Sequence, residues 1–157
     1  FRRVLFRSID RQKGFMEGIK DFSEHKVIKS QTGDFTRAKG KEVMEAFLKS
    51  DKDKIQVVYA HNDDMAMGAI QAIEESGKKP GVDILVVSID GIKDAFTAMA
   101  AGKNNFIAEC NPLLGPQLVK AAKDLKAGKT LDAWIKSDET TFAGTAAAKA
   151  ALPNRKY

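Results

Sequence analysis

Among its 157 residues the sequence has one cysteine (Cys110), one tryptophan, two tyrosines and four prolines. A single cysteine excludes an internal disulfide framework and leaves the redox compartment open. Apolar runs extend over only a few residues, which excludes a transmembrane helix of about 20 apolar residues. At the start, Arg2, Arg3 and Arg7 leave no room for the apolar core of a secretory leader. The two histidines, His25 and His61, lack the spacing of a ligand pair, so no metal site is expected. The Walker-type phosphate loop, the GxGxxG turn and the GxSxG elbow are all missing, and no cofactor is expected. No nucleophile stands beside a base in any recognisable motif, so the sequence reads as a non-enzyme.

What is present is enough for a core: 43% of residues are hydrophobic and 30% charged. The formal charge of +5 hints at nucleic acid, but its distribution removes the hint. Residues 1–13 carry five Lys/Arg against Asp10, and Arg155 and Lys156 add two more. Between 14 and 154 stand 19 bases and 20 acids, with no basic face of the kind nucleic-acid binders present. No nucleic-acid partner is expected.

Short β-rich runs alternate with amphipathic helical ones. Candidate strands are Lys26–Ser30, Ile55–Ala60, Ile84–Ile89 and Asn105–Glu109. The second and third are near-continuous apolar runs, the pattern of a strand covered on both faces. A first helix carries Phe15, Ile19 and Phe22 at i, i+4 and i+7, with Asp10 placed to cap it. A second follows Thr36 to about Lys49. A third runs from Asp63 to Gly77, and a fourth from Ile92 to Gly102. A fifth opens on Asn111-Pro112 and carries Leu114, Leu118 and Leu125, with Pro116 expected to bend it. Leu131–Phe142 reads as extended and Thr145–Ala151 as a short alanine-rich helix. A strand about every 30 residues with a helix between is the βαβ rhythm. The fold class is therefore α/β, a doubly wound and mainly parallel, Rossmann-like sheet.

In such sheets ligands collect beyond the carboxyl ends of the strands. Those ends carry Gln31-Thr32-Gly33-Asp34-Phe35, His61-Asn62-Asp63-Asp64, Asp90-Gly91 and Cys110-Asn111, with Arg11 opening the first helix on the same edge. A guanidinium, a ring, an amide and a carboxylate on one rim suit a polyhydroxylated ligand. The plainer readings are that Asp63 and Asp64 are helix caps, Asp90 a turn residue, Phe35 core and Cys110 an inert, partly buried thiol.

Four strings in order carry a resemblance: Asp10 to Phe15, Gly33 to Gly40, Tyr59 to Met65 and Ser88 to Gly91. Over about residues 9–128 they resemble the periplasmic monosaccharide-binding proteins of the ribose and galactofuranose type. The galactofuranose branch is the more similar, through Gly33-Asp34-Phe35-Thr36-Arg37 and Tyr59-Ala60-His61-Asn62-Asp63-Asp64-Met65. The resemblance implies a type I periplasmic-binding-protein fold and a two-lobed receptor that hands a monosaccharide to the membrane subunits of an ABC importer. It makes Arg11, Phe35, Asn62 and Asp90 the sugar contacts of the C-terminal lobe. Asp34, Glu109 and Cys110 are further candidates, Cys110 falling where ribose-binding relatives carry a glutamine. Ile89 replaces an aromatic that the family often has. Residues 9–110 would form the C-terminal lobe, 111–157 a crossing helix and tail packed partly on the other lobe, and 1–8 a non-native segment. The location implied is periplasmic, by export, with no direct membrane insertion. The alternative is the effector-binding core of a sugar-responsive transcriptional repressor.

Overall fold

The computed structural model describes residues 2–51 and 53–157; Phe1 and the side chains of residues 2–7, within the 1–8 segment set apart above, lie outside that description. Three parallel strands form the centre: β1 (Val57–Tyr59), β2 (Leu85–Asp90) and β3 (Phe106–Glu109). A fourth, β4 (Thr141–Ala143), pairs antiparallel with β3, and the sheet order is β1-β2-β3-β4. The helices are α1 (Arg2–Ile19), α2 (Arg37–Asp51), α3 (Asp63–Glu75), α4 (Lys93–Ala100), α5 (Gly115–Lys126) and α6 (Gly144–Ala151). The α/β class and the mainly parallel sheet are those expected from the alternating pattern.

One face of the sheet is sealed. Ile84, Val86 and Ile107 are fully buried, against α3 for the first two and against α4 and α6 for the third. The opposite face is only partly covered: Val57 is 45% and Leu85 43% exposed. The near-continuous apolar run of β2 is therefore buried in alternation, not on both faces.

Lys26–Ser30 forms no strand. A groove of about 740 Å³ lined by this segment and by β1 keeps the two backbones apart, and Val27 and Ile28 stay nearly half exposed. β propensity without a ladder partner does not make a strand. Asp10 does not cap α1, which runs unbroken from Arg2 and ends before Phe22. α5 begins four residues after Asn111, whose Oδ1 accepts the Leu113 N–H in an Asx turn at 2.9 Å. Pro116 thus falls within the first turn of α5, where a missing N–H costs nothing.

Two glycines set the spacing that brings the site together. α2 and α3 cross so closely that a Cβ on Gly40 would stand 2.6 Å from Met65 Cα, and one on Gly68 2.1 Å from the Arg37 carbonyl oxygen. Only glycine permits that approach, which presses the 33–36 loop against the start of α3. The C-terminal segment returns to this same body: α6 packs on α4, Ala148 is fully buried, and Phe142 meets Phe96 edge to face. α5 is different. It buries none of its residues, and Leu118 is 67% exposed.

Candidate binding site at the strand ends

β1 leads through Ala60-His61 into Asn62, the N-cap of α3. Asn62 Oδ1 accepts the Met65 N–H at 3.0 Å, and its Nδ2 donates to the Phe35 carbonyl at 3.3 Å. The cap thereby ties the end of β1 to the 33–36 loop. In that loop Asp34 (φ 51°) and Phe35 (φ 58°) both occupy the left-handed region. Two consecutive non-glycine residues there cost about 1–3 kcal/mol each. Thr32 offsets part of this, its Oγ1 accepting the Asp34 N–H at 3.3 Å and donating to Asp34 Oδ1 at 3.1 Å. The result is a half-buried Phe35 beside an exposed Asp34.

β2 ends in a second strained turn, Asp90 at φ 124° and Gly91 at φ 88°. Asp90 Oδ1 accepts from Arg11 Nη2 at 3.0 Å. The Arg11 side chain is 14% exposed and that of Asp90 30%. Arg11 Nη1 donates to the His61 carbonyl, so one guanidinium from α1 bridges the ends of β1 and β2. α1 is seated by the Phe15 ring, stacked on Tyr59 at 4.4 Å between centroids, and by the Tyr59 hydroxyl donating to the Arg11 carbonyl at 3.3 Å. Burial, and then the Arg11 charge, lower the pKa of His61, whose Nδ1 lies 3.2 Å from Ser8 Oγ.

The four principal candidates form one linked set: Asp90 to Arg11, Arg11 to His61, and the neighbouring Asn62 to Phe35. Asp90 is both a turn residue and an ion-pair partner. The three secondary candidates divide. Asp34 stands exposed beside Phe35. Cys110 is half-buried and braces the turn by donating its N–H to the Asp90 carbonyl at 3.0 Å. Glu109 turns into its own lobe: Oε1 accepts from Arg155 and from the Tyr157 hydroxyl (2.8 Å), Oε2 from the Thr140 N–H (3.3 Å), and the side chain is 10% exposed. Three hydrogen bonds thus tie its carboxylate to the C-terminal segment. Burial, and then the Glu109 bond, push Tyr157 up to about 12.

Asp63 and Asp64 were both expected as caps. Asn62 takes that place, and Asp64 pairs with Arg37 at 3.0 Å on the surface. Asp63 is fully buried and accepts from Ser88 Oγ at 2.5 Å and from the N–H groups of Gly91 and Ile92 at 2.6 and 2.8 Å. Sequence reading missed this role, as it missed Arg155. Asp63 follows a cap asparagine and looks like any first-turn acid, and Arg155 is separated from Glu109 by 46 positions.

Residues 6–130 match the periplasmic binding protein domain. The chain belongs to that family. The chain is 46% identical over 151 residues to the galactofuranose-binding protein YtfQ of Escherichia coli (strain K12), covering 95% of this chain and 48% of that protein. A solved structure from Mycobacterium smegmatis in complex with β-D-fucofuranose is 54% identical, with a TM-score of 0.88 over 95% of this chain and 48% of the other. The periplasmic binding component of the arabinose ABC transporter from Shewanella sp. ANA-3, bound to L-arabinofuranose, is 45% identical with a TM-score of 0.87, over 94% and 49%. The fold is thus that of the type I periplasmic binding proteins, and the chain spans about half the length of these relatives. The match begins inside the 1–8 segment, along the continuous α1.

Proposed function

We propose that this chain is the C-terminal lobe of an exported, non-enzymatic monosaccharide receptor that delivers a furanose sugar to the membrane subunits of an ABC importer. The observation that carries the reading is the linked rim of Arg11, Asp90, Asn62 and Phe35, held together but still open on one side. A carboxylate accepts from two vicinal hydroxyls, a guanidinium donates a fork to their oxygens, and a ring covers an apolar C–H face. Asp34 and Cys110 flank these contacts, and Glu109 acts behind them. The furanose class is carried over from the galactofuranose, fucofuranose and arabinofuranose named for the relatives. The same relatives disfavour the repressor core. In the whole receptor, α5 and the extended segment that follows it would pack on the other lobe, because α5 buries nothing here.

Calorimetric titration of the full-length receptor with L-arabinose, D-galactose and D-ribose tests the reading. Saturable binding of at least one of them, strongest for a sugar with an accessible furanose form, is expected. Absence of binding to all three would overturn it.

A further inference from the structure

The strongest unexplained feature behind the rim is the buried carboxylate of Asp63. It sits at the start of α3, on the sealed face of the sheet, with none of its surface exposed. A carboxylate in an apolar interior is costly unless its lone pairs are met. Here they are met by donors from one short segment. Ser88 on β2 donates its hydroxyl to Oδ1, and the N–H groups of Gly91 and Ile92 both converge on Oδ2. Asn104 Nδ2 in turn donates to Ser88 Oγ at 2.9 Å, locking that hydroxyl toward the acid. Asp90 lies between Ser88 and Gly91, at a φ of 124° that a non-glycine residue rarely adopts. Such a conformation persists only where surrounding contacts over-determine it. Asp63 supplies them from both sides of Asp90.

We propose that Asp63 is the positioning residue of the sugar site: by gripping Ser88, Gly91 and Ile92 it holds Asp90 in its strained turn, where the carboxylate meets Arg11 and the sugar. This inference rests on Asp90 being a sugar contact. The role differs from a cap, since the cap is Asn62. It also differs from sugar contact, since Asp63 is enclosed. Asparagine at this position can still accept both backbone N–H groups through its carbonyl oxygen. Its amide nitrogen then donates to Ser88 Oγ, whose hydroxyl swings to Asn104 as that amide turns over to present Oδ1, which has no hydrogen-bond partner, in place of Nδ2. The network reverses without losing a bond.

The test is a double-mutant cycle in the full-length receptor, read as affinity for L-arabinose and D-galactose, with Tm followed alongside. Asp63→Ala is expected to raise Kd at least tenfold, but by less than twofold when Asp90 is already alanine. Asp63→Asn should stay within about threefold of the parent. Where Asp63→Ala gives no cooperative melt, Asp63→Ser replaces it: a hydroxyl that cannot span both amides, with the same expected cycle. Equal losses in both backgrounds, or no loss from Asp63 variants while Asp90→Ala weakens binding, would overturn the positioning role alone. Unchanged affinity in Asp90→Ala would instead overturn the site assignment on which it rests.

Discussion

The Arg155 guanidinium lies 4.5 Å from the centroid of the Phe96 ring while donating to Glu109 at the end of β3. Phe142 and Tyr157 add two more rings at 5.4 and 4.9 Å, and a Cβ on Gly91 would stand 3.1 Å from Arg155 Nη1. Residues 155–157 thus buttress the Asp90-Gly91 turn. The Lys93 N–H, at the start of α4, donates to the Tyr157 carbonyl at 2.8 Å, because Ile92 has no side chain to cap that helix. Removing one partner of a buried ion pair leaves the other unmet, at a cost of about 3–5 kcal/mol. Arg155→Ala should therefore lower unfolding stability by that order in denaturant titration. Glu109→Gln, which keeps an acceptor for Arg155 and Tyr157, should cost less. Equal stability of Arg155→Ala and the parent would deny the buttress.

The pH dependence of stability isolates Asp63. Burial, the largest cause, raises its pKa from 3.8 to about 6, against the opposing bonds from Ser88, Ile92 and Gly91. A raised carboxyl binds its proton more tightly in the folded state, so its contribution is complete below pH 4 and lost as pH rises through 6. The loss amounts to about 3 kcal/mol, at about 1.4 kcal/mol per pH unit of displacement. Asp63→Asn is neutral throughout. It should match the parent near pH 4 and exceed its stability above pH 7, as measured by chemical denaturation across that window. A parallel offset at every pH would contradict the raised pKa.

Arg11 tests fork geometry against charge. Its two terminal nitrogens serve two strand ends, Asp90 Oδ1 and the His61 carbonyl. An ammonium is a point charge that cannot span both. Arg11→Lys in the full receptor should weaken sugar binding several-fold while leaving Tm nearly unchanged. A large fall in Tm with normal affinity would assign Arg11 to holding α1 in place.

The stripe on α5 governs behaviour in solution. Leu118 and Leu125 are 67% and 59% exposed, and Trp134 beyond them 86%. An uncovered apolar stripe of this kind favours association. The 157-residue chain should bind hydrophobic dye and self-associate, and Leu118→Gln with Leu125→Gln should reduce both without lowering Tm. Sugar affinity of this chain by itself should be millimolar or undetectable, since one lobe leaves its hydrogen bonds open to water. A monodisperse chain with micromolar affinity would contradict this.

The strand ends were legible because their signals are local. Val57–Tyr59 and Leu85–Asp90 stand out as β-branched apolar runs, and Asn62, Asp90 and Phe35 fall at the punctuation that follows. Arg11 was reached from its place near the first helix, although that helix starts earlier than Asp10 suggested. Lys26–Ser30 was misread because strand propensity is realised only against a neighbour, and among the described residues no strand pairs with this segment. The partners of Glu109, Asp63 and Arg155 were missed for one shared reason. Each is defined by partners 25 to 48 positions distant, and no periodicity reports which acid meets which donor.

On the proposed reading, Asp90 accepts from sugar hydroxyls at the rim it shares with Arg11. Calorimetric titration of L-arabinose and D-galactose into the full-length receptor and its Asp90→Ala variant measures this directly. Unpaired polar groups on the ligand should cost about 2–3 kcal/mol, so affinity should fall roughly 30–150-fold. Identical affinities in parent and variant would contradict it.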